Sequence, residues 1–259
     1  MPCAMTPGWM ETLVDNDWIT PDWPAPVAVR AVTTTRRGGV SEGPWASMNP
    51  ADHVGDAAPA VAANRACLQQ RLALPADPHW LQQVHGNRVV DAADTLVNAA
   101  ADAIIARSAG SVCAVLTADC LPVLFCDRAG REVAAAHAGW RGLAAGVLEQ
   151  TVNRMRSPGR ELLAWLGPAI SAAAYVVGEE VRSAFLQQDT EAAAAFRPAS
   201  DGGWHADLYT LARQRLAGCG VTAVYGGNFC SFGDRERFFS YRRDGVTGRM
   251  ASLVWLEAG

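Results

Sequence analysis

The feature that most constrains this 259-residue chain is an apolar stretch in its middle, Val112 to Cys126, followed closely by Glu132 to His137. Asp119 and Pro122 interrupt the stretch, and it is too short to cross a bilayer. It reads as three successive buried strands, Val112–Ala118, Leu121–Cys126 and Glu132–His137, with Arg128-Ala129-Gly130-Arg131 as the second turn. Strands this apolar must be covered by further layers of structure.

The flanking sequence supplies those layers. Val27–Thr35 alternates weakly and is rich in Val and Thr, which predicts a strand ending at the turn Arg36-Arg37-Gly38-Gly39. Val61, Arg65, Leu68 and Leu72 recur at three to four residues, predicting a helix over 58–72 behind Asp56. His79–Val84 reads as a strand running into His85-Gly86. A helical period starts at Gly142, where Leu143, Val147, Thr151 and Met155 fall four apart. Leu162–Leu166 is another strand, and Gly178–Gln188 and Asp207–Leu216 are helical. Val221–Tyr225, Phe238–Tyr241 and Met250–Leu256 close the chain as strands. Helices are interspersed without strict strand–helix alternation, so the fold class is α+β, a layered sandwich of mixed β-sheets flanked by helices. Residues 1–26, rich in Trp and Pro, are expected to lie irregularly over the surface, and residues 27–259 to form one catalytic domain.

Composition narrows the setting. A net charge of −4 argues against nucleic acid as a partner. Seven cysteines without framework spacing argue against a disulfide scaffold and for a reducing cytoplasm. The N-terminus lacks a basic region followed by an apolar one, so neither a signal peptide nor a membrane anchor is expected.

Chemistry concentrates where strands end. His85 follows Gln82-Gln83-Val84, Cys120 follows Thr117-Ala118-Asp119, and His137 closes the third central strand before Ala138-Gly139-Trp140-Arg141. Glycines after both histidines permit sharp turns and close approach. Two imidazoles and a thiolate form a donor set suited to Zn²⁺ with an open fourth position. The separations, 35 and then 17 residues, match no short zinc signature. A lone strand-end histidine is commonly just a hydrogen-bonded polar residue, and a cysteine in an apolar run a small core residue. The same atoms also suit a nucleophile–base pair of Cys120 and His137, oriented by Asp119 or Asn153. Arg36, Arg141 and Arg242 stand at loop or helix-start positions where guanidinium groups grip phosphate, although each also fits a surface charge or ion pair. No Gly-rich phosphate loop or GxGxxG is present.

At these residues the chain resembles the YfiH-type laccase-domain family, also called multicopper polyphenol oxidase-like and regarded as zinc-dependent purine nucleoside phosphorylases. The matching segments include Thr34-Thr35-Arg36, Gly38-Gly39-Val40-Ser41, His53-Val54-Gly55-Asp56, Trp80-Leu81-Gln82-Gln83-Val84-His85-Gly86 and Thr117-Ala118-Asp119-Cys120-Leu121-Pro122-Val123. They continue with His137-Ala138-Gly139-Trp140-Arg141-Gly142, Leu166-Gly167-Pro168-Ala169-Ile170 and Phe239-Ser240-Tyr241-Arg242-Arg243-Asp244. The likeness spans about residues 24–257. It implies that His85, Cys120 and His137 are zinc ligands, and that the fold is related to cysteine-hydrolase-like domains. One departure is Asn49-Pro50-Ala51-Asp52-His53, where the family commonly reads Asn-Leu-Gly-x-His, so the local loop and any roles of Asn49 and His53 are expected to differ.

The resemblance implies phosphorolysis of adenosine, inosine, guanosine or methylthioadenosine to the base and ribose 1-phosphate, with deamination of adenosine, by a monomer or homodimer. Arg36, Arg141 and Arg242 are the candidate phosphate or ribose contacts. Asp119 is the nearest candidate for the acid that protonates the leaving purine, and holding a ligand is its other possible role. The runner-up is a Cys–His hydrolase acting on UDP-MurNAc-amino acid precursors, and a non-enzymatic scaffold is a third class. The family's older name implies copper chemistry, but five histidines cannot supply a blue-copper centre together with a trinuclear cluster. Copper-dependent phenol oxidation is left as a side activity with Cu at the zinc site.

Overall fold

The structure, a computed structural model, describes residues 18–94, 98–200 and 202–257. Of the irregular segment expected over 1–26, residues 1–17 lie outside the described residues; within 18–26, Ile19 bridges to Thr33.

The three central strands form as the sequence predicts: β4 (Val112–Thr117), β5 (Leu121–Asp127) and β6 (Val133–Ala138), every residue of them buried. They do not share one sheet. β5 and β6 pair as an antiparallel hairpin at the centre of a six-stranded mixed sheet. Its other members are β2 (Val89–Asp91), β3 (Ala103–Ala106), β7 (Leu162–Leu166) and β11 (Ala223–Gly226), in the order β11-β7-β5-β6-β3-β2. β4 instead joins β1 (Val29–Thr33) and β12 (Met250–Leu256) in a three-stranded antiparallel sheet.

Period-two alternation lets both faces of these strands be buried. Cys113 and Val115 of β4 meet Leu124, Cys126, Val133 and Ala135 between the two sheets. Val112, Ala114 and Leu116 face the other way, against Cys67 and Leu68 of helix α1 (Ala58–Arg71). Val123, Phe125, Ala134 and Ala136 face the helical layer. That layer holds α2 (Trp140–Ala144), α3 (Val147–Arg154), α4 (Glu179–Leu186) and α5 (Leu208–Gly218). Asp207 caps α5 by accepting the Tyr209 and Thr210 N–H groups. A small sheet of β8 (Val176–Val177), β9 (Phe196–Pro198) and β10 (Trp204–Ala206) lies beside this layer. The result is helix, sheet, sheet, helix: the expected α+β layered sandwich of mixed sheets. Among the described residues no helix is long and apolar enough to cross a membrane.

Three local expectations are corrected. The helical period from Gly142 is two helices, α2 and α3, because Gly146 turns through φ +87° between them. His79–Val84 is not a strand: only His79 and Gln82 make isolated bridges. Its neighbour Gln83 reaches across with its amide, accepting the Leu116 N–H at 2.7 Å and donating to the Leu116 carbonyl at 2.8 Å. A side chain thus makes the pair that a strand backbone would. Phe238–Tyr241 is likewise not a strand. Phe238 and Phe239 are core residues, and Ser240 caps the one-turn helix α6 (Tyr241–Asp244).

Candidate metal centre and active-site cavity

The β3–β6 register creates the site. Ala103 pairs with Ala136, so Asp102 sits opposite His137, and the His137 N–H donates to the Asp102 carbonyl at 2.7 Å. The fully buried Asp102 carboxylate then accepts from His137 Nδ1 at 2.8 Å and from the backbone N–H groups of His85 (2.9 Å), Gly86 (2.7 Å) and Val84 (3.2 Å). One carboxylate therefore holds the buried His137 ring and the loop that carries His85. That loop passes through φ +59° at His85, a conformation a non-glycine residue keeps only when its surroundings enforce it.

Cys120 comes from the tight β4–β5 turn, where Asp119 also has a positive φ, +93°. The Asp119 carboxylate accepts the Ser231 hydroxyl (2.6 Å) and the Arg242 N–H (2.6 Å), fixing the turn. Both of its oxygens are engaged as acceptors, so Asp119 positions Cys120 and α6. Asn153, the other candidate orienter, lies on α3, and Asp102 holds the His137 ring in its place.

The candidate ligand atoms of His85, Cys120 and His137 all lie within 4.8 Å of one another. The two rings meet edge to face at 4.8 Å, and Cys120 Sγ is 4.0 Å from His85 Nε2. Since Nδ1 of His137 is bonded to Asp102, its Nε2 is the nitrogen left to bind. A methyl group added at Gly139 would come within 3.0 Å of Cys120 Sγ, 3.2 Å of His85 Cδ2 and 3.6 Å of His137 Cε1. Glycine thus leaves open a cradle bounded by all three groups, and the donor set suits a borderline-soft divalent ion. The electrostatics agree. Burial raises the Cys120 thiol, but His137 and His85 outweigh it and pull the thiol below its ordinary value. Burial opposes protonation of His137, yet Cys120 and Asp102 raise it. Burial pushes the Asp102 carboxyl up, and the His137 ring and the Gly86 N–H overcome this and hold it down.

His85 and Cys120 open into a cavity of about 210 Å³ whose walls include Trp140, Tyr175, Tyr241, Arg141 and Arg242. Arg141 lies 4.4 Å over the Trp140 ring. Arg242 lies 5.1 Å over the Tyr175 ring and donates from one terminal nitrogen to the Val176 carbonyl. Tyr241 is 61% exposed, a large aromatic surface at the mouth. Arg36 does not line this cavity. Its guanidinium donates to the Ala46 and Arg235 carbonyls and stacks on Phe239.

The other histidines stand apart from the cluster: His53 beside Asp52, His79 in its bridge to Cys113, and His205 against the Ala172 carbonyl. At the departure from the family pattern, Asn49 is fully buried and has a structural task. Its side chain bonds Ala51 in both directions, donates to Asp56 and accepts the Arg249 N–H. The sequence reading missed Asp102, Trp140, Tyr175 and Tyr241. The signal for Asp102 was a lone acid inside the apolar run Ala99–Ile105, where an unpaired charge does not survive burial.

This layered fold defines a class already represented among solved structures. A Neisseria meningitidis protein superposes with TM-score 0.90 at 53% identity, over 93% of this chain and 99% of that one. YlmD from Geobacillus stearothermophilus gives TM-score 0.83 at 29% identity, over 95% and 97%. The family described as multi-copper polyphenol oxidoreductase laccase matches residues 30–257, and the chain belongs to it. Relatives include proteins named purine nucleoside phosphorylase. One from Pseudomonas aeruginosa is 57% identical over 93% of this chain and 99% of that protein, and YfiH from Escherichia coli is 53% identical over 92% and 98%.

Gly139 has φ −63°, so alanine fits its backbone and changes only the cradle. Gly139→Ala is expected to lower bound metal in the purified protein by about tenfold or more, a loss of the size that ligand-supporting groups command, with an unchanged circular dichroism spectrum. Full metal occupancy in that variant would contradict the cradle. Asp102→Asn should cost about 1–3 kcal/mol in metal-free urea unfolding at pH 7, because buried N–H groups lose their acceptor. The Asp102 carboxyl is depressed in the folded state, so its stabilisation is complete above the ordinary carboxylate range and is lost as pH falls through the folded value. The gap between wild type and Asp102→Asn should therefore be full near neutrality and close in the acidic range, and a gap that widens on acidification would be inconsistent with this role.

Proposed function

We propose that this protein is a zinc-dependent purine nucleoside phosphorylase that also deaminates adenosine, with His85, Cys120 and His137 holding the metal. The observation that carries the reading is the juxtaposition of the three-group cluster with a cavity walled by aromatic rings and two arginines. Relatives named for this activity, matched over nearly their whole length, support it.

Trp140 and Tyr241 offer flat apolar faces to a purine. Arg141 and Arg242 offer guanidinium groups to phosphate, and stacking on Trp140 and Tyr175 orders them before substrate arrives. In phosphorolysis a phosphate oxygen bonds to C1′ while the bond from C1′ to the purine nitrogen breaks. The electron pair leaves with the base, and the proton carried by hydrogen phosphate ends on the base. In deamination water adds at C6 and ammonia leaves. Zinc on the three groups would supply Lewis-acid chemistry, polarising an oxygen or activating water. Asp102 fixes the His137 ring so that Nε2 faces the cradle, and Asp119 fixes the turn that presents Cys120. Copper at the same three groups would support only incidental phenol oxidation.

A second reading has a specific observation behind it. Asp102, His137 and Cys120 stand in the order acid, base, nucleophile, with the acid–base bond at 2.8 Å. That arrangement suits a Cys–His hydrolase, for which UDP-MurNAc-amino acid adducts are the candidate substrates.

The two separate in one experiment: adenosine, inosine, guanosine, methylthioadenosine and a UDP-MurNAc-amino acid adduct are incubated with and without phosphate, before and after chelation, and products are read by mass spectrometry. Phosphate-dependent ribose 1-phosphate, lost on chelation and restored by zinc, is expected; turnover of a nucleotide-sugar adduct that survives chelation would favour the hydrolase. Cys120→Ala should lose both bound metal and nucleoside turnover, and turnover retained in the metal-free variant would refute the assignment.

A further inference from the structure

Tyr175 is nine-tenths buried, lines the cavity, and its hydroxyl has no hydrogen-bond partner among the described residues. Its backbone is tied on both sides, the N–H donating to the Ser171 carbonyl and the carbonyl accepting from the Ala206 N–H. Arg242 lies on the ring and is anchored by Val176, the next residue, so phenol and guanidinium are held against each other. A hydroxyl on the wall of a substrate cavity that the fold leaves unengaged is placed for a ligand. Tyr209, the other buried tyrosine nearby, provides the contrast. Its hydroxyl accepts the Ala169 N–H and bonds the Gly167 and Phe229 carbonyls, so it is fully occupied by the fold.

The chemistry around the Tyr175 hydroxyl specifies the ligand. Arg242 and Arg141 line the same cavity as the phenol, as do Cys120 and Asp119. Burial, followed by the Cys120 charge, raises the phenol well above its ordinary value, so it stays protonated and donates. The Arg141 guanidinium makes no hydrogen bond among the described residues beyond its stacking on Trp140, and Arg242 has only one terminal nitrogen committed. One neutral donor on a cavity wall shared with two cations matches an anion with several acceptor oxygens.

We propose that the Tyr175 hydroxyl, with Arg141 and Arg242, forms the cradle for inorganic phosphate, leaving the Tyr241 side of the cavity to the purine. This rests on the phosphorylase reading for its ligand. It makes Tyr175 a substrate-binding residue that acts on phosphate and not on the nucleoside.

The test is Tyr175→Phe, which keeps the ring under Arg242 and removes only the donor. Steady-state phosphorolysis of inosine is measured with phosphate and inosine varied in turn, alongside calorimetric titration of the same zinc-loaded proteins with inorganic phosphate alone. The KM for phosphate should rise roughly tenfold, the scale of a lost hydrogen bond to a charged group. The KM for inosine should stay within about twofold, and phosphate binding should weaken in parallel. Arg141→Ala should move the same two quantities in the same direction. A rise in the inosine KM with the phosphate KM unchanged would overturn the assignment, as would equal phosphate binding by Tyr175→Phe and wild type. Should wild type bind phosphate more tightly than Tyr175→Phe yet form no ribose 1-phosphate, the cradle stands and the phosphorylase reading falls. Absence of phosphate binding by wild type would overturn the cradle itself.

Discussion

A single buried carboxylate organises this site. Asp102 has no exposure to solvent, and a charge there would be prohibitively costly without compensation. Compensation comes from the His137 ring and three consecutive backbone N–H groups, those of Val84, His85 and Gly86. The same bonds that neutralise the carboxylate bring two histidines, distant in sequence, to one place. The helical layer closes on it from the other side. A methyl group added at Gly142 of α2 would lie 2.7 Å from the Gly86 carbonyl, so the helix packs directly against the loop that Asp102 holds.

The layered core makes such a site possible. β5 and β6 are buried on both faces, between a second sheet and the helices. Their ends are the rigid points from which Cys120 and His137 project. Loops that carry functional groups on a scaffold of this kind can hold unusual backbone conformations, as His85 and Asp119 do, because each is pinned by a carboxylate.

Much of this was legible in the chain. The central apolar runs announced buried strands with Cys120 and His137 at their ends, whereas His85, expected to follow a strand, lies in a loop held by Asp102. What could not be read were properties that depend on pairing across long separations. β4 follows the apolar pattern of β5 and β6, yet belongs to another sheet, a choice made by its register with β12 about 140 residues later. Asp102 acquires its meaning only from lying opposite His137. Gln83 imitates a strand partner through its side chain, which no periodicity records. Arg36 looked like Arg141 and Arg242 in its local sequence, but the fold turns it onto backbone carbonyls and Phe239. Nothing in the local sequence marks Tyr175 or Trp140 as site residues; the cavity brings them beside the cluster.

The family's description speaks of copper oxidase chemistry, while several relatives are named as phosphorylases. The proposed function follows the latter. Among the described residues a three-group cluster of two imidazoles and one sulfur lies next to aromatic and cationic walls, the arrangement on which the proposed function rests. The most direct test of that centre is X-ray absorption at the zinc edge on the isolated protein. One sulfur and two imidazole scatterers per zinc is the predicted shell, and a zinc environment without sulfur would contradict it.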